Sequence, residues 1–380
     1  MERRRPHRRR FFFLALLAAC ATAANIDQTF DRAKLREIDA RIEQAIAEHQ
    51  IPGGVLWIER NGVAYHRAYG NRALVPAVEK NSEDTIYDAA SITKVTATAP
   101  SIWLLIQQGK IAIDAPAKTY VPEFTGGWRD EITIRHLLTH TSGLRPDLTL
   151  TDKWNGFDEA WHRILSEEVQ QRPGAIFRYS DINYELLGEI VHRVSGESLD
   201  QFARKHIFEP LGMMDTRFYP ATQRPSDLRR IAPTEMTDAI MLRGVVHDPT
   251  ARRMGGVAGH AGMFTTAADM AKFARALLNG GGGVFTPETV KQMTSVQSPL
   301  GLAVRRAGGF DIDSGFSRPR GSLFPLGSYG HTGWTGGMIW IDPYSRTFYV
   351  FMSNRVHPDG KGNVLSLQRD LGTLVAESVR

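Results

Sequence analysis

Segments typical of β-strands stand near both ends of this chain, and a long stretch of helical patterns separates them. Residues 54–60 and 63–69 are rich in strand-forming residues, and between them Asn61-Gly62 is a strong signal for a type I′ hairpin. Near the other end, residues 338–341 and 347–352 are β-branched and aromatic, with a turn sequence at 342–345. Both ends therefore predict strands of a sheet, and the middle of the chain is an insertion.

The spacing of apolar residues predicts helices. Leu35, Ile38, Ile42 and Ala45 mark one face of an amphipathic helix within 30–49, and leucines between 365 and 374 predict a closing helix. Helical patterns in the middle occupy 131–139, 183–194, 199–208 and 267–278. We predict an α+β fold, in which an antiparallel sheet flanked by helices carries an all-α inserted lobe. A single domain would span 27–380, with a sheet lobe at about 27–115 and 290–380 and a helical lobe at about 116–290.

The first twenty residues predict an export signal. Six arginines within residues 3–10 precede an apolar run at 11–19, which is too short for a stop-transfer span. Leu17-Ala18-Ala19-Cys20 has the pattern of a bacterial lipobox, in which Cys20 becomes the lipidated first residue after cleavage. Cys20 is the only cysteine, so it has no disulfide to form. We therefore expect a periplasmic or cell-envelope protein that is lipid-anchored at Cys20.

Two alternatives to this signal remain open. Ordinary cleavage could follow Ala21-Thr22-Ala23, which would give a secreted protein, and Arg9-Arg10 also resembles a twin-arginine signal. Charge excludes one class of partner. The whole chain has a formal charge of +5, but residues 1–20 hold six Arg and one Glu, so the remainder is formally neutral. No basic stretch in that remainder supports nucleic-acid binding.

A candidate nucleophile stands at the start of a predicted helix. Residues 92–108 have a helical pattern that ends at the C-terminal signal Gly109, and Ser91 and Lys94 share one face at its N-terminus. Unpaired N–H groups at a helix start favour an oxyanion, and Lys94 can take the Ser91 proton if burial lowers the pKa of its amine. On this motif alone, the alternative is a serine that caps the helix and a solvated lysine. Pro100 predicts a kink.

Two further motifs follow in a fixed order, Tyr179-Ser180-Asp181 and then His331-Thr332-Gly333. With Ser91-Ile92-Thr93-Lys94 they resemble the serine β-lactamase and penicillin-binding-protein superfamily, in particular its class C-like branch. Residues 133–144 and 246–262 also match that branch, so the resemblance covers about residues 45–355. It implies a β-lactamase/transpeptidase-like fold and acyl transfer through an ester on Ser91.

The resemblance also implies roles for residues beyond the nucleophile. Tyr179 would carry the proton from Ser91 to the leaving group, and the backbone N–H groups of Ser91 and Trp334 would form an oxyanion hole. Thr332 and Gly333 would border the substrate. The branch commonly has Lys at the position of His331, and a histidine that titrates near pH 6 to 7 binds a carboxylate less firmly.

At another position the chain departs from the branch, which commonly has Asn where this chain has Asp181. A carboxylate cannot donate the amide hydrogen bond, so a salt link to Lys94 is the expected alternative. His260 and the glycines around it could border the cleft or form a structural turn. His136 and His140 have the spacing of a zinc helix but lack the expected Glu between them, so we expect no metal and no cofactor.

These observations predict an exported serine hydrolase with a small-molecule or peptide substrate: a D-amino-acid peptide, an ester or a β-lactam. The preferred function is a DD-peptidase, a carboxypeptidase or endopeptidase acting on cell-wall peptides through a Ser91 acyl-enzyme. A carboxylesterase of the same fold is the first alternative. A weakly catalytic lipoprotein that binds β-lactams or the cell wall is the second.

Overall fold

The computed structural model describes residues 25–380 except Arg224, so the predicted signal and Cys20 lie outside the described residues. In the described part, the helices are α1 (Ile26–Thr29), α2 (Arg32–Ala47), α3 (Ala99–Gln107), α4 (Ile134–Leu138), α5 (Phe157–Ser166), α6 (Asp181–Ser195), α7 (Leu199–Ala203), α8 (Pro249–Arg253), α9 (Ala267–Leu278), α10 (Pro287–Thr294) and α11 (Leu365–Ser378). Within that part, no helix is long and apolar enough to cross a membrane.

The strands come from both ends of the chain and from short segments between them. They are β1 (Gly53–Arg60), β2 (Val63–Ala73), β3 (Glu79–Lys80), β4 (Tyr87–Asp88), β5 (Arg217–Phe218), β6 (Met236–Thr237), β7 (Ile240–Met241), β8 (Met263–Thr265), β9 (Arg305–Arg306), β10 (Asp311–Asp313), β11 (Tyr329–Thr332), β12 (Met338–Asp342) and β13 (Thr347–Ser353).

The main antiparallel sheet joins the two ends of the chain, as predicted. Its order is β3-β2-β1-β13-β12-β11-β10-β9, so β1 from the N-terminal part lies beside β13 from the C-terminal part. Asn61 and Gly62 both have positive φ, and Arg60 pairs with Val63 across them, which is the geometry of the predicted hairpin. The fold class, α+β with a β-lactamase/transpeptidase-like arrangement, is confirmed.

Helices cover both faces of this sheet. Alternate residues of β13 point to opposite sides, so Tyr349 and Phe351 pack with α2 and α11, while Val350 and Met352 pack with the rest of the core. The helix α9 packs against β1 and β13, although the chain order places it in the middle segment. Both faces are therefore dry, which is why every residue of β12 and β13 is buried.

Two details of the predicted insertion are wrong. It is not all-α, because β8 pairs with both β4 and β5, and β6 pairs with β7. Strands of two or three residues are too short to show an alternating pattern in the sequence. The helix predicted at 131–139 is only the single turn α4, which follows a 3-10 turn at Gly127–Glu131.

The helix that carries the nucleophile is distorted where Pro100 predicts a kink. Residues Lys94–Thr98 form a π-helical turn that continues directly into α3. Pro100 has no N–H to donate to the preceding turn, which is consistent with widening of the helix just before it. The predicted end at Gly109 is present, with φ of +71°.

Candidate active site

Ser91 lies in a tight turn between β4 and the helical segment that leads into α3. The residue before it, Ala90, has φ of +45°, a left-handed conformation that is costly for a residue with a side chain. The carboxylate of Asp88 holds this turn by accepting the N–H of Ala90 at 2.8 Å and the N–H of His247 at 2.7 Å. The turn thus points the Ser91 side chain into a cleft that it lines.

Lys94 lies directly behind Ser91 and is fully buried. Its Nζ donates to Ser91 Oγ at 3.0 Å and to the carbonyl oxygen of His260 at 3.0 Å. Its third neighbour is Asp181, whose Oδ1 lies 2.7 Å away. Lys94 therefore makes two hydrogen bonds and one close ion pair.

The net shift in the pKa of Lys94 is upwards, whereas its predicted role as a base required burial to lower that pKa. Burial does act in that direction, but the carboxylate of Asp181 and the phenol of Tyr179 outweigh it, and the pKa of Lys94 lies above its ordinary value. Lys94 is therefore an ammonium in the free protein. In that state it donates to Ser91 and cannot accept the serine proton.

The Tyr179-Ser180-Asp181 segment is fixed by the loop that follows α4. The N–H of Ser180 donates to His140 Nδ1 at 3.1 Å, and the N–H of Asp181 donates to the carbonyl of Pro146 at 2.6 Å. The Tyr179 ring stacks on the His140 imidazole with a centroid separation of 4.3 Å, and Lys94 Nζ lies 5.1 Å from the Tyr179 ring centroid. Asp181 begins α6, where a negative charge is favourable.

The segment at 331–334 closes the other side of the cleft at the end of β11. A Cβ atom on Gly333 would lie 2.5 Å from the carbonyl oxygen of Ala89, so only glycine allows this close approach. The Thr335 hydroxyl donates to the Asp88 carbonyl at 2.7 Å and ties this segment to the nucleophile turn. Among the described residues, the N–H groups of Ser91 and Trp334 have no hydrogen-bond acceptor. Two free donors are thus available to a developing oxyanion.

His331 is buried and neutral. Its Nδ1 lies 2.8 Å from the Thr332 carbonyl, which fits a ring whose proton is on Nδ1. Burial, together with the charges of Arg306 and Lys94, holds the pKa of His331 well below its usual range. The expectation of a histidine that titrates near pH 6 to 7 is therefore wrong, because the imidazole has lost water and faces two cations.

A cluster of buried charges lies behind Lys94. His260 Nε2 lies 2.9 Å from Asp248 Oδ1, and its Nδ1 lies 3.4 Å from Glu185 Oε1. Burial opposes the charge on His260, but Asp248 outweighs it and raises the pKa of His260 to about 10. Burial raises the pKa of Glu185 to about 8. The sequence left open whether His260 borders the cleft, and the structure places it in this cluster, with its carbonyl on Lys94.

The cluster also contains a possible metal-ligand set. One ligand atom from each of Asp181, Asp248 and His260 lies within 4.8 Å of the others. However, His260 is already bonded to Asp248, and Asp181 is bonded to the Lys94 ammonium. Two cations thus already balance the two carboxylates, and we assign no metal to this set.

The two histidines with zinc-like spacing do not face a shared point. His136 Nδ1 accepts the N–H of Thr133 at the start of α4, at 3.2 Å. His140 Nδ1 accepts the N–H of Ser180 instead. Each imidazole therefore accepts a hydrogen bond from a different backbone N–H group.

The cleft encloses about 400 Å³. Six of the site residues predicted from the sequence line it: Ser91, Tyr179, His331, Thr332, Gly333 and Trp334. Lys94 and Asp181 are not among its lining residues, so they act from behind Ser91 rather than on bound substrate. The resemblance would place Asp181 against the substrate, and its position in the structure instead makes it the partner of Lys94, as the expected salt link requires.

Sequence reasoning missed several residues that position this site. Asp88 and Thr335 hold the nucleophile turn, and Asp248 and Glu185 surround His260. Asp248 lies within the matched stretch 246–262, which was a signal for it. Asp88, Thr335 and Glu185 carried no local signal, because their partners are distant in the chain.

Comparisons with known proteins agree with this geometry. A family model described as Beta-lactamase matches residues 38–373. A protein of Escherichia coli (strain K12) named "Putative D-alanyl-D-alanine carboxypeptidase" is 32% identical over 370 residues, covering 86% of this chain and 84% of that protein. A solved structure named "A class C beta-lactamase" has a TM-score of 0.72 at 20% identity and covers 94% of this chain and 98% of its own.

A second solved structure, named "EstCE1, a hydrolase with promiscuous acyltransferase activity", has a TM-score of 0.71 at 21% identity. The match covers 90% of this chain and 98% of that one. At these identities the two structures show the shared fold alone.

Proposed function

The chain belongs to the Beta-lactamase family of serine hydrolases, and from that premise we propose that it is a DD-peptidase. It would hydrolyse D-amino-acid peptides of the bacterial cell wall, as a carboxypeptidase or endopeptidase, through an acyl-enzyme on Ser91. The observation that carries the chemistry is the hydrogen bond of 3.0 Å between Lys94 Nζ and Ser91 Oγ, at a cleft where two backbone N–H groups are free. The similarity to the Escherichia coli protein named above supports the peptide substrate.

In acylation, Ser91 Oγ attacks the carbonyl carbon and the amine leaves. The N–H groups of Ser91 and Trp334 bind the oxygen as it gains negative charge. Lys94 holds the Ser91 hydroxyl in place but is already an ammonium, so the serine proton passes to the Tyr179 oxygen.

As Tyr179 takes this proton, it passes a proton to the departing amine, which completes acylation. In deacylation the same groups act in reverse order. Tyr179 takes a proton from water, the water oxygen attacks the ester carbonyl, and a proton from Tyr179 returns to Ser91 Oγ as the acyl group leaves. Asp181 keeps Lys94 charged throughout, so the lysine contributes electrostatics and position at every step.

Release of D-alanine from an acetylated D-Ala-D-Ala peptide tests this proposal. The wild-type protein should release it with turnover, and Ser91→Ala should release none. A matched variant, Ser101→Ala, changes a buried serine whose hydroxyl donates a hydrogen bond to the Ala97 carbonyl oxygen. Turnover that persists in Ser91→Ala would contradict the proposal, as would a wild type that hydrolyses only esters.

A carboxylesterase is the second candidate, and one observation favours it. His331 is neutral where the branch commonly has a lysine, so the motif strand itself supplies no cation for a substrate carboxylate. A short-chain ester assayed beside the peptide distinguishes the two functions by the ratio of their kcat/KM values. Acylation by a penicillin without turnover of peptide or ester would instead favour the weakly catalytic β-lactam- or wall-binding protein.

We also propose that the protein is exported and anchored in the cell envelope through Cys20. The support is the arginine-rich start, the apolar run at 11–19 and the sequence Leu17-Ala18-Ala19-Cys20. Membrane fractionation should find wild-type protein with membranes, and Cys20→Ser should release it or block its processing. A wholly soluble wild type with a mature start near Ala24 would contradict anchoring and favour secretion.

A further inference from the structure

The cleft is unusually rich in positive charge. Arg318, Arg355 and Lys361 line it, and no aspartate or glutamate does. Lys361 is paired with Asp359 at 2.5 Å. Within residues 25–380 as described, Arg318 and Arg355 have no carboxylate partner, so two arginine charges face the cleft unbalanced.

Of these two, Arg355 is the one built into the site. Its backbone N–H donates to the Thr335 carbonyl at 2.7 Å, just after β13 ends. Its guanidinium lies over the indole of Trp334, 4.5 Å from the ring centroid, and its Nη1 donates to the Gly362 carbonyl at 2.8 Å. The side chain is thus held against the residue whose N–H is one of the two free oxyanion donors.

The surroundings of Arg355 favour binding of an anion. Burial lowers the pKa of its guanidinium, and among the described residues Glu235 is the charge that opposes this shift, without forming an ion pair with Arg355. A half-buried cation without a counter-ion gains more from an incoming carboxylate than an exposed one does. A guanidinium also offers two parallel N–H groups that match the two oxygens of a carboxylate.

We propose that Arg355 binds the carboxylate of the substrate's C-terminal residue. In a peptide, that carboxylate lies one residue, about 3.8 Å of chain, beyond the scissile carbonyl. With the scissile oxygen on the Trp334 N–H, a carboxylate at that distance is within reach of the guanidinium that covers the Trp334 ring. A neutral His331 cannot bind a carboxylate by charge. In this protein Arg355, rather than the residue at position 331, would therefore select substrates with a free C-terminus. This inference rests on the proposed peptidase function and names its specificity residue.

A pair of substrates that differ only in charge tests the proposal. The kcat/KM of an acetylated D-Ala-D-Ala peptide is compared with that of its C-terminal amide, in wild type, Arg355→Met and Arg355→Lys. We expect Arg355→Met to lower the value for the acid by about tenfold or more, the effect of losing a charge-assisted hydrogen bond, and to change the amide by about twofold at most. Arg355→Lys should recover part of the loss.

Variants of two other arginines complete this experiment. Arg318→Met tests whether the other unpaired arginine of the cleft binds the carboxylate instead. Its effect on the ratio of kcat/KM for the acid to kcat/KM for the amide should be smaller than that of Arg355→Met. Arg369→Met is the matched control, because Arg369 is exposed and does not line the cleft. The proposal is overturned if Arg355→Met lowers acid and amide equally, if it lowers neither, or if the selective loss belongs to Arg318→Met.

The failure of this proposal can be told apart from failure of the peptidase function. If the wild type cleaves neither the peptide acid nor the peptide amide while Ser91 is acylated by penicillin, the peptidase function fails. Arg355 is then judged by acylation rates with penicillin and with its neutral methyl ester. If Arg355→Met lowers the acylation rate with penicillin by about tenfold and leaves the rate with the methyl ester unchanged, binding of a carboxylate by Arg355 is still supported. Equal acylation rates in wild type and Arg355→Met overturn it. Thermal melting of each variant shows whether it is folded.

Discussion

The Lys94 ammonium lies closer to Asp181, at 2.7 Å, than to the Ser91 hydroxyl, at 3.0 Å. The lysine next to the nucleophile is therefore one half of a buried ion pair. A buried ion pair keeps its charges only while both partners are present, because removing one leaves the other without compensation in a dry site. The protonation state of the active site thus depends on a residue that does not line the cleft.

Asp181→Asn should narrow the pH range of activity on its alkaline side. Without the carboxylate, the largest opposition to burial is removed, so the pKa of Lys94 falls and the ammonium is lost at a lower pH than in the wild type. We expect acylation at about pH 9 to fall about tenfold relative to wild type, with a smaller change at about pH 6. A pH–rate profile of acylation measures this. Activity that instead rises as Lys94 deprotonates would identify the neutral lysine as the base.

Tyr179→Phe and Lys94→Ala should each reduce turnover by roughly two orders of magnitude or more, the range for a positioned proton carrier and its partner. Their effects should not add in the double variant, because both groups serve one proton transfer. Steady-state kinetics on the three variants measures this. Phe316→Leu is a useful comparison, since that ring packs against Tyr179 at 5.1 Å and carries no proton. Near-normal rates in Tyr179→Phe would assign deacylation to another group.

Discrimination between acid and amide substrates should not change between about pH 6 and 8, because His331 stays neutral across that range. His331→Lys should raise acylation by penicillin relative to a neutral ester by about tenfold, the effect of one added charged contact. Kinetics with both substrates across this pH range measures both effects. A loss of acid binding as pH rises through 6 to 7 would show that His331 does titrate and does contact the carboxylate.

Glu185→Gln should make stability less dependent on pH. Burial raises the pKa of Glu185 to about 8 in the folded protein, from an ordinary value of 4.5. Between these values the unfolded chain ionises first, so stability is full below about pH 4.5 and is lost as pH rises towards 8. Glutamine cannot ionise, so the melting temperature should decline less across this window. Glu189→Gln on the same helix, where the carboxylate pairs with Arg193, is the matched control. Equal slopes in wild type and Glu185→Gln would contradict the burial of a neutral acid.

The parts of the site that the sequence predicts are those set by local spacing. Ser91 and Lys94 are three residues apart at a helix start, so their contact follows from helix geometry, and Asn61-Gly62 fixes a hairpin within two residues. The salt link between Asp181 and Lys94 could also be named in advance, because the resemblance aligns the motifs that contain them.

The parts that the sequence does not predict depend on long-range packing. Whether burial or a neighbouring carboxylate decides the charge of Lys94 is a question of distances between α6 and the helix after Ser91. The neutral state of His331 depends on Arg306, which is brought close by the sheet. Arg355 lies outside every motif, and its place at the cleft is seen only in the folded chain, where it lines the cleft and stacks on Trp334.

Acylation of Ser91 is the central claim, and intact mass spectrometry after incubation with a fluorescent penicillin tests it most directly. We expect one adduct of the mass of the penicillin on the wild-type protein, located on Ser91 by peptide mapping, and none on Ser91→Ala. Separate samples of both proteins, not treated with penicillin, are incubated with an acetylated D-Ala-D-Ala peptide and should show release of D-alanine in the wild type alone. An adduct that survives in Ser91→Ala, or one that maps to another residue, would contradict the assignment of the nucleophile.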